Sequence, residues 1–103
     1  MKNFRTLEQA KKDLKGIQDY VNLIENYQPQ DFRQQVIYTY AVIGSIKSTA
    51  QKLNDLGYTM HGHPIESIDI TRILTSEPPK GDLLHKKIKS LYLKKTRASR
   101  RTY

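Results

Sequence analysis

The sequence predicts an all-α protein, a small bundle of about five helices that contains a helix-turn-helix and ends in a basic C-terminal tail. Two observations predict this class. Apolar residues recur at spacings of three and four along most of the 103-residue chain, which is the period of an amphipathic helix. Glycine and proline clusters interrupt that pattern at intervals typical of short helices. A chain of this length suits one domain with one modest core.

The first helix is predicted from residue 7 to about residue 27. Thr6 and Gln9 have the spacing of a capping box at its start, and Pro29 ends it. Because its apolar stripe lasts only about two and a half heptads, packing against the rest of the domain is favoured, and dimerisation is the alternative. The stripe, at steps of three and four, consists of Leu7, Ala10, Leu14, Ile17, Val21 and Ile24.

Asp31 and Gln34 repeat the cap signature before a second helix, and Gly44-Ser45 ends or bends it. Its broad apolar face predicts that it is largely buried. That face comprises Phe32, Val36, Ile37, Tyr40, Ala41 and Ile43. A third helix follows from about residue 46 to 56 and stops at Gly57, the usual place for a left-handed C-cap.

Residues 58–64 form a loop, in which residues 58–60 are compatible with half of a short β-ribbon. A fourth helix is predicted at residues 65–75, with Ile70, Ile73 and Leu74 inward. Pro78-Pro79 then breaks the chain before a fifth helix at residues 81–95. The predicted organisation is one helical domain, residues 1–95, followed by a flexible basic tail, residues 96–103. Its parts are an N-terminal amphipathic helix (1–28), a helix-turn-helix core (31–76) and a basic helix (80–95).

Charge is distributed very unevenly along the chain. Residues 1–79 hold nine basic and nine acidic side chains, whereas residues 80–103 hold nine basic ones and Asp82 alone. The whole net charge of +8 therefore lies in the last 24 residues. A neutral body with a strongly basic end predicts a polyanionic partner. The alternative is a solvated tail that keeps the protein soluble.

The sequence also excludes several classes of protein. It has no cysteine, which excludes disulfides, thiolate metal sites and cysteine nucleophiles. It shows no apolar run of signal-peptide or membrane-span length, so we expect a cytoplasmic protein without a membrane partner.

The third and fourth helices are the candidate helix-turn-helix. Small Ala50 would let the fourth helix approach closely, and Ser67, Thr71 and Arg72 would point outward, where such side chains can contact bases or phosphates. Asp69 counts against a simple version, because a carboxylate repels phosphates, unless it lies on the flank of the helix or accepts from the amino group of a cytosine. The basic segment would lie along the backbone, through Lys86, Lys87, Lys89, Lys94, Lys95, Arg97, Arg100 and Arg101. A core helical hairpin with a disordered tail is the alternative.

Residues 44–74 resemble the helix-turn-helix segment of the recombinase region of large serine integrases and related small DNA-binding proteins of phage origin. The resembling features, in order, are Gly44-Ser45, Ala50, Leu53-Asn54, Gly57, Gly62, Ile70 and Arg72-Ile73-Leu74. Ile65 stands where the family usually has tryptophan, and Thr71 replaces a frequent basic residue. Because a catalytic serine domain is missing, the resemblance implies a module that docks on DNA and does not imply recombinase activity.

No catalytic or metal site is predicted. His61, His63 and His85 have no carboxylate partner at zinc-like spacing, and the serines lack histidine and acid partners at a recognisable spacing. We therefore expect no enzyme activity and no cofactor.

The function predicted is that of a small double-stranded-DNA-binding protein of phage or mobile-element type. It would be a transcriptional regulator or an accessory factor for recombination or packaging. RNA is a weaker option, because aromatic residues typical of RNA-binding modules are not evident. The alternative is a small helical protein-interaction module, and a homodimer or another protein partner is compatible with both.

Overall fold

The computed structural model describes residues 6–100, with side chains described through residue 97. It confirms the all-α class, since this part of the chain forms five helices and no strand. The helices are α1 (Leu7–Glu25), α2 (Phe32–Ile43), α3 (Ile46–Asp55), α4 (Ser67–Thr75) and α5 (Leu83–Arg100).

The predicted caps begin three of these helices. The side chains of Thr6, Asp31 and Ser45 each accept a hydrogen bond from a backbone N–H three residues later, over 3.1, 2.8 and 3.3 Å. At the other end of α2, Gly44 adopts a left-handed conformation with φ of 81°, which few other residues adopt without strain. The helix bounds are therefore set largely by local sequence.

The core lies around α2, which contacts the other four helices. Its fully buried residues come from four helices and include Val36, Ile37, Leu53, Ile70, Leu74, Leu84 and Ile88. Tyr40 is also buried, and its ring packs edge-on against Tyr92 with centroids 6.4 Å apart. These contacts confirm the buried face of α2, except that Ile43 at its end is 38% exposed. They also confirm that α4 turns Ile70 and Leu74 inward, whereas Ile73 is half-buried.

The predicted packing of the α1 stripe against the domain is wrong for most of its length. Leu7, Leu14 and Ile17 are 70, 67 and 62% exposed, and α1 has no fully buried residue. Only the last residue of the stripe, Ile24, packs on the core, together with side chains outside the stripe at the C-terminal end of the helix and just beyond it, namely Tyr20, Leu23 and Tyr27. Tyr27 fixes this orientation, because its hydroxyl donates to the Asp82 carboxylate over 2.9 Å.

Four boundaries differ from prediction by two or more residues, of which the end of α1 and the start of α5 each lie about two residues inside the predicted bounds. Helix α4 begins at Ser67, two residues late, because Ile65 is held in the preceding loop by α3. Helix α5 continues to Arg100, so residues 96–100 are helical and do not belong to a tail without regular structure. Residues 101–103 of the predicted tail lie outside the described part of the chain.

Candidate nucleic-acid interface

Helix α3 ends in a tight glycine cap that turns the chain toward α4. Gly57 has φ of 92°, the N–H of Tyr58 donates to the carbonyl of Leu53, and the N–H of Gly57 donates to that of Asn54. This pair of bonds is the Schellman motif, which glycine permits because it has no Cβ. Gly57 therefore acts as predicted.

The loop after α3 closes on itself as a minimal hairpin. Met60 and His63 exchange both backbone hydrogen bonds, over 2.8 and 3.0 Å. The two residues between them, His61 and Gly62, both have positive φ, which is typical of a type I′ turn. Residues 58–60 thus supply one side of a single β-bridge, a reduced form of the ribbon that the sequence allowed.

Asn54 ties the end of α3 to the start of α4. Its carboxamide oxygen accepts from the N–H of Ile65 over 2.7 Å, and its amide nitrogen donates to the carbonyl of Ile65 over 2.9 Å. Ile65 is itself buried. Because one side chain satisfies both backbone groups of Ile65, the direction in which α4 starts is fixed from α3.

Helix α4 begins with a reciprocal capping box formed by Glu66 and Asp69. Asp69 accepts from the N–H of Glu66 over 2.9 Å and is only 8% exposed. Asp69 therefore does not belong to the outward face, and the objection that its carboxylate would repel phosphates does not apply. Carboxylates in the first turn also stabilise the helix, because they interact favourably with the positive end of its dipole.

The outward face of α4 carries two of the three predicted base-contacting residues fully in the open. Ser67 and Arg72 are exposed, whereas Thr71 is half-buried and its hydroxyl donates to the carbonyl of Ser67 over 3.2 Å. Ile68, which the sequence analysis did not select, is 51% exposed on the same side. Residues two apart on a helix do not share a face, so the burial of Ile70 was a signal that Ile68 points outward.

The connection between α3 and α4 is longer than in a simple helix-turn-helix. It runs over residues 56–66, eleven residues between the end of α3 and the start of α4, whereas the simple motif uses about three or four. The glycine cap, the hairpin and the Asn54 bonds occupy this length. The two helices pack against each other despite it.

Helix α5 spreads its predicted phosphate-contacting residues around its surface. Helical spacing places Lys86, Lys89 and Arg97 along one side, and of these Lys89 lies 3.9 Å from the carboxylate of Glu77, just after α4. Lys87 lies on another side, where it lines a groove against α1. Lys94 lies between the two sides, next to Arg97, with which it lines a small pocket.

All of these α5 side chains are exposed except Lys89, whose side chain is 26% exposed. Lys95 is exposed near the end of the same helix. Arg100 is helical without a described side chain, and Arg101 lies outside the described residues. The structure therefore brings only part of the basic segment next to α4.

His85 has a buried place in the core. Its Nε2 lies 3.1 Å from the carbonyl of Ile73, whereas its Nδ1 has no hydrogen-bond partner among the described residues. Burial lowers the pKa of His85, and the nearby Arg33 adds to that effect, while Asp82 opposes it. The bond to a carbonyl identifies Nε2 as the protonated nitrogen. Asp82 also caps α5 by accepting from the N–H of His85 over 3.0 Å.

One group of side chains could in principle hold a metal ion. Within the described residues, His63, Glu66 and Asp69 bring ligand atoms within 4.8 Å of one another. Sequence spacing did not select this group. Its two carboxylates already form the capping box of α4, which accounts for their position without an ion.

Two further findings bear on the class of protein. Within residues 6–100, each helix is too short or too polar to span a membrane. No protein-family model, no curated protein and no solved structure gives a significant match to this chain.

Proposed function

We propose that the chain binds double-stranded DNA, with the outward face of α4 against the bases and basic side chains of α5 against the phosphates. The observation that carries the proposal is the exposed pair Ile68 and Arg72, which lie one turn apart on the face of α4 opposite the buried Ile70 and Leu74. Ser67 is also exposed, at the start of the helix. A rigidly held helix with an exposed polar and basic face is what major-groove recognition requires.

The side chains of Ser67, Ile68 and Arg72 have the chemistry needed to contact the edges of base pairs. Arginine can donate two hydrogen bonds to a guanine, and a serine hydroxyl can donate to or accept from a base edge. An apolar side chain can contact the methyl group of thymine. Ser67 and Ile68 lie in the first turn of α4, and the N-terminal residues of a recognition helix are those that usually contact bases. Arg72 lies one turn further and supplies the positive charge of the face.

The basic residues of α5 that border α4 extend this surface. Lys86 and Arg97 are exposed on the side of α5 on which Lys89 reaches Glu77. Contacts of lysine and arginine with phosphates supply affinity that decreases as salt rises and carry little sequence information. We therefore assign base selection to α4 and most of the affinity to α5.

The resemblance of residues 44–74 to the serine integrase segment favours a role in phage or mobile-element biology. Within the proposal, the chain is a transcriptional regulator or an accessory factor for recombination or packaging. Both roles need the same DNA contacts.

Fluorescence anisotropy with labelled duplexes of mixed sequence tests the proposal. Binding at micromolar or tighter concentrations that weakens between about 50 and 200 mM salt would support it. Arg72→Ala should reduce discrimination among duplexes by about 1–3 kcal/mol, whereas Lys11→Ala, an exposed position on α1, should leave it unchanged. A wild-type chain that binds no duplex even at low salt would contradict the proposal.

A protein-interaction module is the second candidate, and the exposed apolar stripe of α1 favours it. Leu14 and Ile17 are about as exposed as residues on a free helix surface, and apolar surface of this kind marks protein contacts. Recovery of one stoichiometric protein partner that survives nuclease and high salt, with no affinity for DNA, would favour this candidate over the first.

A further inference from the structure

Over the first three turns of α1, other described residues leave the apolar stripe largely uncovered. Leu7, Leu14 and Ile17 are each more than 60% exposed, and Val21 is 37% exposed. The helix packs on the core through another line of residues, from Tyr20 to Tyr27. Helix α1 therefore has two apolar lines, of which only one is used by the domain.

A groove adjoins this stripe and widens the available surface. It has a volume of about 690 Å³ and runs between α1 and α5, with Leu14, Ile17 and Tyr20 on one side and Leu91 on the other. Gly16 also lines it, and a Cβ at Gly16 would meet no described atom within 4 Å. Packing within the chain therefore does not require glycine in the middle of this helix, where it is unfavourable.

We propose that α1 is a homodimer interface, in which the stripes of two copies of this chain pack against each other in antiparallel orientation. The steps of three and four are those of residues that face another helix with the same repeat. A two-fold pairing about the midpoint between Leu14 and Ile17 sets Leu14 opposite Ile17 of the second copy and Ala10 opposite Val21. The same stripe thus complements itself, as a two-fold interface requires.

The net charge of α1 makes it a more favourable contact between two copies than α5. Helix α1 carries three lysines and four carboxylates, a net charge of −1, whereas α5 carries seven basic residues and no acidic one. Two copies of α1 therefore approach without strong repulsion, and two copies of α5 do not. In the antiparallel register Lys11 lies beside Gln18 of the second copy, and Glu25 of that copy lies about two turns beyond Gln18.

The size of the surface predicts a weak dimer. From Leu7 to Val21 the stripe is about 21 Å long at 1.5 Å per residue, so the pair and the adjoining groove bury about 1,000 Å², the lower end for specific interfaces. Dissociation constants of about 10–100 µM are expected for such a contact. Dimerisation does not depend on the proposed DNA binding, although a dimer would present two α4 faces to a two-fold DNA site.

Sedimentation equilibrium of the full chain without DNA, from about 10 µM to about 1 mM, tests the proposal. The wild type should convert from monomer to dimer across this range. The double variant Leu14→Ser, Ile17→Ser should weaken the dimer at least about tenfold without loss of helicity, because both side chains are exposed in the monomer. Leu83→Ser, at a leucine 61% exposed outside the stripe, is the matched control and should dimerise like wild type.

Single cysteines test the register, since the chain has none of its own. A mixture of the Ala10→Cys and Val21→Cys variants should form the mixed disulfide faster than either variant pairs with itself. A wild type that stays monomeric throughout, or a double serine variant that dimerises as tightly as wild type, would overturn the proposal and leave the stripe to another protein. Ala10→Cys pairing preferentially with itself would overturn the antiparallel register.

Discussion

The carboxamide of Asn54 hydrogen-bonds both the N–H and the carbonyl of Ile65, at 2.7 and 2.9 Å. This contact bridges the two ends of the long loop between α3 and α4. The Asn54 side chain bonds the backbone of Ile65 in the way that a neighbouring β-strand would. Ile65 is buried, so these hydrogen bonds are partly shielded from water. Leaving either backbone group without its partner there is costly. Asn54 thus holds the start of α4, and with it the proposed base-contacting face, while the buried Ile70 and Leu74 hold the rest of the helix on the core.

Asn54→Ala should therefore lower the free energy of unfolding by about 1–3 kcal/mol, because it leaves two backbone groups of Ile65 without their partner. Urea denaturation followed by circular dichroism measures the change. Asn22→Ala is the matched control, since Asn22 is exposed and its side chain bonds only Gln18 of the same helix. Equal losses for the two variants would mean that Asn54 does not support the α3–α4 unit.

Ile68 and Ile70 provide a matched pair on opposite faces of α4. Ile70→Ala should lower the free energy of unfolding by about 2–5 kcal/mol, because the side chain is completely buried. Ile68→Ala should change stability by less than about 0.5 kcal/mol, since half of the side chain is exposed, and should instead reduce preference among DNA sequences. Thermal melts and anisotropy titrations separate the two effects. A large loss of stability in Ile68→Ala would show that this residue packs and does not face a ligand.

The helices follow from the sequence more fully than their arrangement does. Thr6, Asp31, Ser45 and Gly57 mark helix ends through bonds within four or five residues, so local patterns predict them. The orientation of α1 depends on the bond between Tyr27 and Asp82, which are far apart in the chain. Periodicity identifies an apolar stripe but does not say what the stripe faces.

In the candidate site, too, local features could be predicted from the sequence and features that depend on packing could not. Ser67 and Arg72 were predicted to be exposed and are, because Arg72 lies opposite the buried Ile70 and Ser67 is the first residue of the helix. The capping role of Asp69 was not predicted, since a capping box of Glu66 and Asp69 has no serine or threonine at the cap position and so departs from the usual signature. The side of α5 on which each lysine lies depended on how α5 packs, which only the structure supplies.

His85 should make the stability of the fold depend on pH. Burial lowers its pKa in the folded chain below the ordinary value of 6.5, so below that pH the unfolded chain binds a proton that the folded chain resists. Stability is therefore highest above about pH 6.5 and falls as pH decreases toward the pKa of the folded state. Melting temperatures at about pH 7.5 and pH 5 should differ less in His85→Gln than in wild type.

The exposed His61 provides the control for this experiment. Because its side chain is in solvent, His61→Gln should keep the pH dependence of wild type. If His85→Gln retains the full wild-type decrease in melting temperature, protonation of this buried imidazole does not cause it.

The central claim, that DNA lies across α4 and the adjacent side of α5, is tested most directly by two variants that each remove two charges. Lys86→Gln with Arg97→Gln changes the side of α5 on which Lys89 reaches Glu77, whereas Lys12→Gln with Lys87→Gln changes two lysines that line the groove between α1 and α5. Anisotropy titrations at several salt concentrations should show the first pair lowering affinity and reducing the salt slope by up to about two. The second pair should stay close to wild type. Equal effects of the two pairs, or a larger effect of the second, would contradict the proposed surface.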